Sequence, residues 1–226
     1  MKKFFKWTGG LLAIVIFLAL IGYIFRETLL TGAGHFMAPT GDYTADVVIL
    51  EGSDYIRTGF VHLGIDLIAS GKVQKMIVVV HRIAPAHRPF GIRGDYPDVV
   101  GRKLKEMGLR DDQFKIIVTP IRQPVTLQEA RTVLGDLAKD NIGSAILIAP
   151  SFHTRRSYLA YAYVGGPLKI EIYPRASFTE SQREKWWTDP GARRDMAAET
   201  IKLLYYLAAG HIPLKFSYRT EGGARP

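Results

Sequence analysis

The segment SFHTRRS, residues 151–157, packs two serines, a threonine, a histidine and two adjacent arginines directly behind the apolar run AILIAP. His153 has the type of side chain that moves protons near neutral pH, so it is a candidate acid/base. Neighbouring arginines would lower its pKa and favour a neutral base, or a donor to phosphate. Arg155 and Arg156 offer planar forks suited to bidentate contact with phosphate or carboxylate. Ser151 as a nucleophile would call for a G-x-S-x-G turn, which is absent, so capping of the following helix is the simpler expectation. A catalytic site, an anion cradle and a solvated helix start all remain open at this point.

The rest of the chain supplies the elements that position these groups. Short apolar, β-rich runs fall at residues 45–50, 75–80, 114–119, 144–149 and 169–174. Continuous rather than alternating apolarity is the mark of parallel strands buried on both faces. Helical patterns lie between them at 58–70, 98–108 and 126–141, and a last one at 195–210. Gly71, Gly108 and Gly210 supply the stops. Strands alternating with helices predict right-handed crossovers and a Rossmann-like, doubly wound, mainly parallel five-stranded sheet over residues 40–213.

Ligands of such sheets sit beyond the carboxyl ends of the strands. The first strand is followed by Glu51, Gly52, Ser53, Asp54 and Arg57, and the second by His81, Arg82, His87, Arg88 and Arg93. Arg122 and Thr126 follow the third, Ser151, His153, Arg155 and Arg156 the fourth, and Arg175 the fifth. Each strand end thus delivers an arginine, whereas Glu106, Asp111, Asp112, Asp136 and Asp140 fall in helices or opposite loops. This edge reads as an anion site, most economically for phosphate, with helix N-termini adding N–H donors. Thr126 and Glu129 are candidates for touching the ligand, and they also have the spacing of a capping box, which explains them by itself. Glu199, on an otherwise apolar helix, calls for an arginine partner, Arg57 being one candidate. Trp186 and Trp187 suit a membrane-interface anchor, a sugar-stacking platform or a packed lid.

The chain has 226 residues, no cysteine and a formal charge of +9. Disulfides and thiolate chemistry are excluded, and anionic partners are favoured. Part of that charge is placed by topology. Residues 7–25, WTGGLLAIVIFLALIGYIF, carry no charge and would span roughly 28 Å as a helix. Lys2, Lys3 and Lys6 precede them, while Arg26 and Glu27 cancel behind them. The bias predicts a cytoplasmic tip at 1–6, a transmembrane helix at 7–25, a linker at 26–39, the exported α/β domain, and a flexible tail at 214–226. A cleaved signal is the rival, but its apolar run is ordinarily shorter. The expected location is a bacterial-type inner membrane, with the main domain outside the cytoplasm. No G-x-G-x-x-G or Walker A pattern occurs, and no metal motif, so the cofactor is unknown. Nucleic acid is not expected, for want of a basic stripe interleaved with aromatics.

Four stretches in register resemble the YdcF/SanA/ElyC-like envelope family, a group built on a domain of unknown function. ILIAPSFHTRRSYLAY is similar to its strand followed by Ser, an aromatic, His and an Arg three positions on, matching Ser151, Phe152, His153 and Arg156. ADVVILEGSDYIRTGF resembles the opening strand and turn, matching Gly52 and Arg57. VTLQEA resembles its Thr-x-x-Glu-Ala helix start, matching Thr126 and Glu129, and AAETIKLLYYLAAG its closing helix, with Glu199 at the acidic position. The family commonly has Gly-Gly where this chain has Glu51-Gly52, and Ser-Gly-Gly where it has His81-Arg82. The resemblance implies a Rossmann-like domain behind one membrane helix and a role in envelope or peptidoglycan processes. The function expected is binding, with hydrolysis or transfer as its extension, of a lipid-linked or glycan phosphate. The alternative is a non-catalytic factor acting through envelope protein partners.

Overall fold

A computed structural model describes residues 16–17, 20–53, 57–81, 96–178 and 183–213. Five strands form one sheet: β1 (Val47–Ser53), β2 (Lys75–His81), β3 (Phe114–Thr119), β4 (Ser144–Pro150) and β5 (Glu171–Ser177). Every pairing is parallel and the order is β3-β2-β1-β4-β5. The expected strands are all present, several shifted by one to three residues. The chain winds outward from β1 to β3, returns across β1, and winds outward again through β4 and β5. Because crossovers are right-handed, this reversal puts helices on opposite faces and opens a crevice between β1 and β4.

Two helices, α2 (Thr58–Ala69) and α3 (Tyr96–Glu106), cover one face. There Phe60, Val61, Leu67, Val100 and Leu104 pack on Val48, Leu50, Met76, Val78, Ile146 and Ile148. The other face lies under α4 (Val125–Lys139) and α5 (Thr154–Leu168). Ala130, Val133, Leu134, Leu137 and Tyr161 meet Val47, Ile49, Ile77, Val79, Ile117, Ala145 and Leu147 there. Odd and even residues of β1 go to different faces, as the period of two requires.

The last helix, α6 (Pro190–Ala208), starts five residues before its apolar pattern does. Pro190 is preset for a first helical turn, and the Asp189 side chain accepts from Ala192 N at 2.6 Å. This helix packs through Ala192, Met196, Leu203 and Tyr206 on Phe152, Leu159 and Ala160, with Met37 and Ala38 in the same cluster.

The segment expected as a linker is helical: α1 (Arg26–Met37). It is pinned by Trp186, whose Nε1 donates to Leu30 O at 2.8 Å, and by Arg155, whose Nε donates to Phe36 O at 2.5 Å. Trp186 also meets Phe152 edge to face, so among the three roles open to it the packed one is seen. The span expected to cross a membrane lies largely outside the described residues, as do the tip at 1–6 and the tail at 214–226. Among the described residues no helix is long and apolar enough to cross a membrane.

Candidate functional site

The site begins with an irregularity in β1. Leu50 pairs with Val78 but Ser53 with Val80, so β1 carries one residue more than β2 over this interval. Such bulges kink a strand and re-aim its side chains. Glu51 shares the parity of Val47 and Ile49, and it ends beneath α4 and α5. Gly52 lets other groups come close. A Cβ there would lie 2.5 Å from Glu129 Oε2 and 2.8 Å from His81 Nε2. The bare backbone instead donates from Gly52 N to Glu129 Oε1 at 3.1 Å.

After β4 the chain turns at Ser151, whose φ of 43° is left-handed and unusual for a residue with a Cβ. Ser151 does not cap the helix with its side chain as expected. Its carbonyl instead accepts from Thr154 Oγ1 at 2.7 Å, which folds the first turn back on itself. This turn delivers His153 to the crevice, and α5 then presents Arg156, Ser157 and Tyr161.

His153 is held between two carboxyl groups. Its Nε2 lies 2.9 Å from Glu51 Oε1 and its Nδ1 3.0 Å from Glu199 Oε2. Burial pulls its pKa down, but Glu51 and Glu199 outweigh that and Arg156, leaving it raised to about 9. The neutral base expected from the nearby arginines is therefore overturned: the sequence shows the arginines beside His153 and hides the distant carboxyls that dominate. At neutral pH the imidazole is a cation donating from both nitrogens.

Arg156 is fully engaged. It donates from Nε at 3.1 Å and Nη2 at 3.0 Å to Glu199 Oε2, and from Nη1 to Thr126 Oγ1 at 2.8 Å. Its guanidinium carbon stands 5.0 Å from the centre of the Tyr206 ring. Nη2 also comes within 2.6 Å of His153 Nδ1, because both donors converge on one Glu199 oxygen. Burial raises the Glu199 pKa, and His153, Arg156 and Lys202 more than reverse this, holding the carboxyl well below the usual range. Arg156 thus takes the place for which Arg57 was a candidate.

A second cluster adjoins the first. His81 Nε2 lies 2.9 Å from Glu129 Oε2, and Tyr161 OH donates to Glu129 Oε1 at 2.7 Å. Burial pushes the Tyr161 phenol up, and Glu129 and Glu51 push it further, so it stays a donor. The capping box expected of Thr126 and Glu129 is not formed: the N-cap is Pro124, two residues before Thr126, and both side chains turn inward to the site. A capping box and a buried site share the same local spacing, and only tertiary contacts separate them.

The remaining arginines do not all converge. Arg155 is spent on Phe36, whose ring its guanidinium covers at 4.2 Å, and Arg175 Nη1 donates to Gly41 O at 3.1 Å. Arg57 precedes α2 with its guanidinium 5.6 Å from the Phe60 ring centre, and Arg122 is exposed. Ser53 ends β1 half-buried. Arg82, Asp54, His87, Arg88 and Arg93 lie outside the described residues.

Glu51, Glu129 and Glu199, each singled out from the sequence on separate grounds, are all buried at this edge. That they meet is not legible in the sequence, because two of them come from helices far from Glu51 along the chain. Ser157, which donates to Glu51 Oε1 at 2.5 Å, and Tyr161 were missed. Their signal was present: positions 157 and 161 lie one turn apart on the face of α5 that must meet the sheet. Among the described residues no three His, Asp or Glu side chains are grouped to hold a metal ion. No protein-family model and no curated protein matches this chain in sequence.

Proposed function

We propose that the chain is a membrane-anchored envelope protein whose α/β domain binds a phosphate-bearing ligand and acts on it by hydrolysis or transfer. The observation that carries this reading is His153. It stands at the β1/β4 crevice with its side chain 19% exposed, amid otherwise buried polar partners. Once a ligand takes the place of Glu51 at Nε2, an imidazolium there can donate to a phosphate oxygen or protonate a leaving group. The N-termini of α4 and α5 lie at the same edge and favour anions. Anchoring is supported by the apolar stretch at 7–25 and by Ile16, Phe17, Leu20, Tyr23, Ile24 and Phe25, each more than half exposed.

The full chain in detergent micelles should bind glucose 1-phosphate and a polyprenyl phosphate saturably in calorimetric titrations. His153→Ala should weaken both by about tenfold or more. No binding, or equal binding by the variant, overturns the reading.

A second reading, a non-catalytic factor working through envelope partners, is favoured by a different observation. The donors of His153 and Arg156 are occupied by Glu51, Glu199 and Thr126. Under that reading His153→Ala leaves an envelope phenotype intact.

A further inference from the structure

The two outer strands of the sheet are treated differently. At β5 the chain leading into β1 lies against the edge. Thr40 forms an antiparallel bridge with Arg175, Arg175 Nη1 donates to Gly41 O at 3.1 Å, and Tyr43 stacks on Tyr173 with ring centres 4.9 Å apart. Pro174 lies within that strand and has no N–H to offer. A covering segment and a proline are common ways of closing an edge. At β3 neither is found. Its pairing with β2 runs from Phe114 to Thr119 without a bulge, and among the described residues no strand pairs with its outer side. Lys115, the one charge in FKIIVT, is drawn to Asp136 and Asp140 and does not guard the edge.

Beside this edge a groove of about 590 Å³ runs between β3 and α4, where Arg131, Thr132, Gly135 and Asp136 line it. Val118 is 44% exposed on the strand, and Ile121 is 57% exposed just beyond it. Gly135 adds a separate observation. Glycine inside a helix costs about 1 kcal/mol against alanine, yet a Cβ at position 135 would meet nothing within 4 Å. A single copy of the chain does not call for glycine there, whereas a second helix packed against α4 does.

We infer that β3 pairs antiparallel with β3 of a second copy about a two-fold axis, joining the two five-stranded sheets into one. Opposite residues of an antiparallel pair face the same side of a sheet, and an axis normal to the sheet keeps each side to itself. Residues of like parity must therefore meet, and the axis passes a residue rather than a gap. At Ile117, near the middle of the strand, it sets Ile116 against Val118 of the copy and covers both. Lys115 then stands opposite Thr119 of the copy instead of another lysine.

The same axis aligns α4 with its copy. Lys115 meets Asp136 and Asp140, which puts the part of α4 near Ala138 level with Lys115. Ile117 lies roughly 6.6 Å further along the strand, a distance that a helix running the other way covers in about four residues. The axis thus passes α4 near Val133 and Leu134. Arg131 comes opposite Asp136 of the copy, and Thr132 opposite its Gly135. Charges are matched, and the small residue falls where the helices approach. Helix α4 shares a core with Ile77 and Val79 of β2 and Ile117 of β3. A helix over the middle of those two strands stands about 10 Å from its copy, which is a packing distance. An extended segment of another protein would pair with β3 but leave Arg131, Asp136 and Gly135 unused, so the second copy is the better occupant.

The test is the mass of the full chain in detergent micelles, measured by light scattering corrected for detergent over a dilution series. The wild-type chain should be a dimer that dissociates on dilution. Gly135→Arg, whose side chain meets nothing in a single copy, should weaken the dimer by about tenfold or more. Val118→Lys, set against Ile116 of the copy, should do the same, with circular dichroism confirming that each variant is folded. If Val118→Lys does not fold, Gly135→Arg decides. Leu204→Lys, at an exposed position on α6, should leave the dimer as it is. A monomeric wild-type chain overturns the inference and leaves the edge to a strand from another protein. A dimer as tight in Gly135→Arg as in the wild type also overturns it, and places the contact elsewhere, residues 7–25 included.

Discussion

Strand β1 has a carboxyl group at each end, five residues apart, and the two behave oppositely. Asp46, exposed just before the strand, accepts from Gly143 N at 2.9 Å, Ser144 N at 2.8 Å and Ser144 Oγ at 3.0 Å through one oxygen, tying the start of β1 to the start of β4. Glu51 reaches across the same pair of strands at the far end, but it is buried, shares an imidazolium with Glu199, and leaves an oxygen without a donor. The same contrast holds for the sheet as a whole. At the Asp46 end, Lys115 meets Asp136 at 2.6 Å and Asp140 at 2.7 Å, and the carboxyls have access to solvent. At the Glu51 end the carboxyls meet histidine, arginine and tyrosine out of water. One end is fastened where water reaches it, and the other is held by charges buried against one another.

The sharpest way to break this comparison is to remove Glu199. It is the common acceptor of His153 and Arg156, so Glu199→Ala leaves two buried cations facing each other. Removing one partner of a buried pair ordinarily costs about 3–5 kcal/mol. Guanidinium unfolding followed by circular dichroism should show a loss of that order. A loss below about 1 kcal/mol would mean that the site end is held no more tightly than the solvated end.

A smaller effect follows from pH. His153 has a pKa near 6.5 when unfolded, raised to about 9 in the fold. Below 6.5 both states bind the proton and its stabilising contribution is complete. Between 6.5 and 9 only the folded state keeps it, so stability falls as pH rises, by about 2–3 kcal/mol over the interval. Glu199 acts in the other direction: its carboxyl is held low, so its share is present above about pH 4.5 and is lost as the solution becomes more acidic. Urea midpoints from pH 6 to 9 should therefore decline in the wild-type chain and flatten in His153→Ala. A slope of equal size in both would remove His153 from the explanation.

How far the sequence foretells this site depends on the range of the interactions. The five strands and the parallel sheet are legible because buried strands write their apolarity locally, as VVIL and AILIA do. His153 and Arg156 are legible as polar groups just after a strand. Their state is not, because Glu199 lies 46 residues from His153 and Glu51 lies 102 away. The arginines misled for a related reason. An arginine in a loop reads as a clamp whether it meets a ligand or, as with Arg155, the carbonyl of a helix more than a hundred residues earlier. Thr126 and Glu129 fit a local capping rule that the fold did not use.

The smallest predicted effect gives the comparison its baseline. Asp46→Ala removes three hydrogen bonds at the start of β1, yet all three donors lie where water can take over. The net worth of a solvent-accessible hydrogen bond is small, so the expected loss is about 1 kcal/mol, with the pH slope between 6.5 and 9 unchanged. The same urea titrations would show it. A loss of about 3 kcal/mol or more would make the Asp46 clamp as consequential as the Glu199 network. The difference between the two ends would then lie in their partners alone, with no difference in how strongly burial makes each end depend on them.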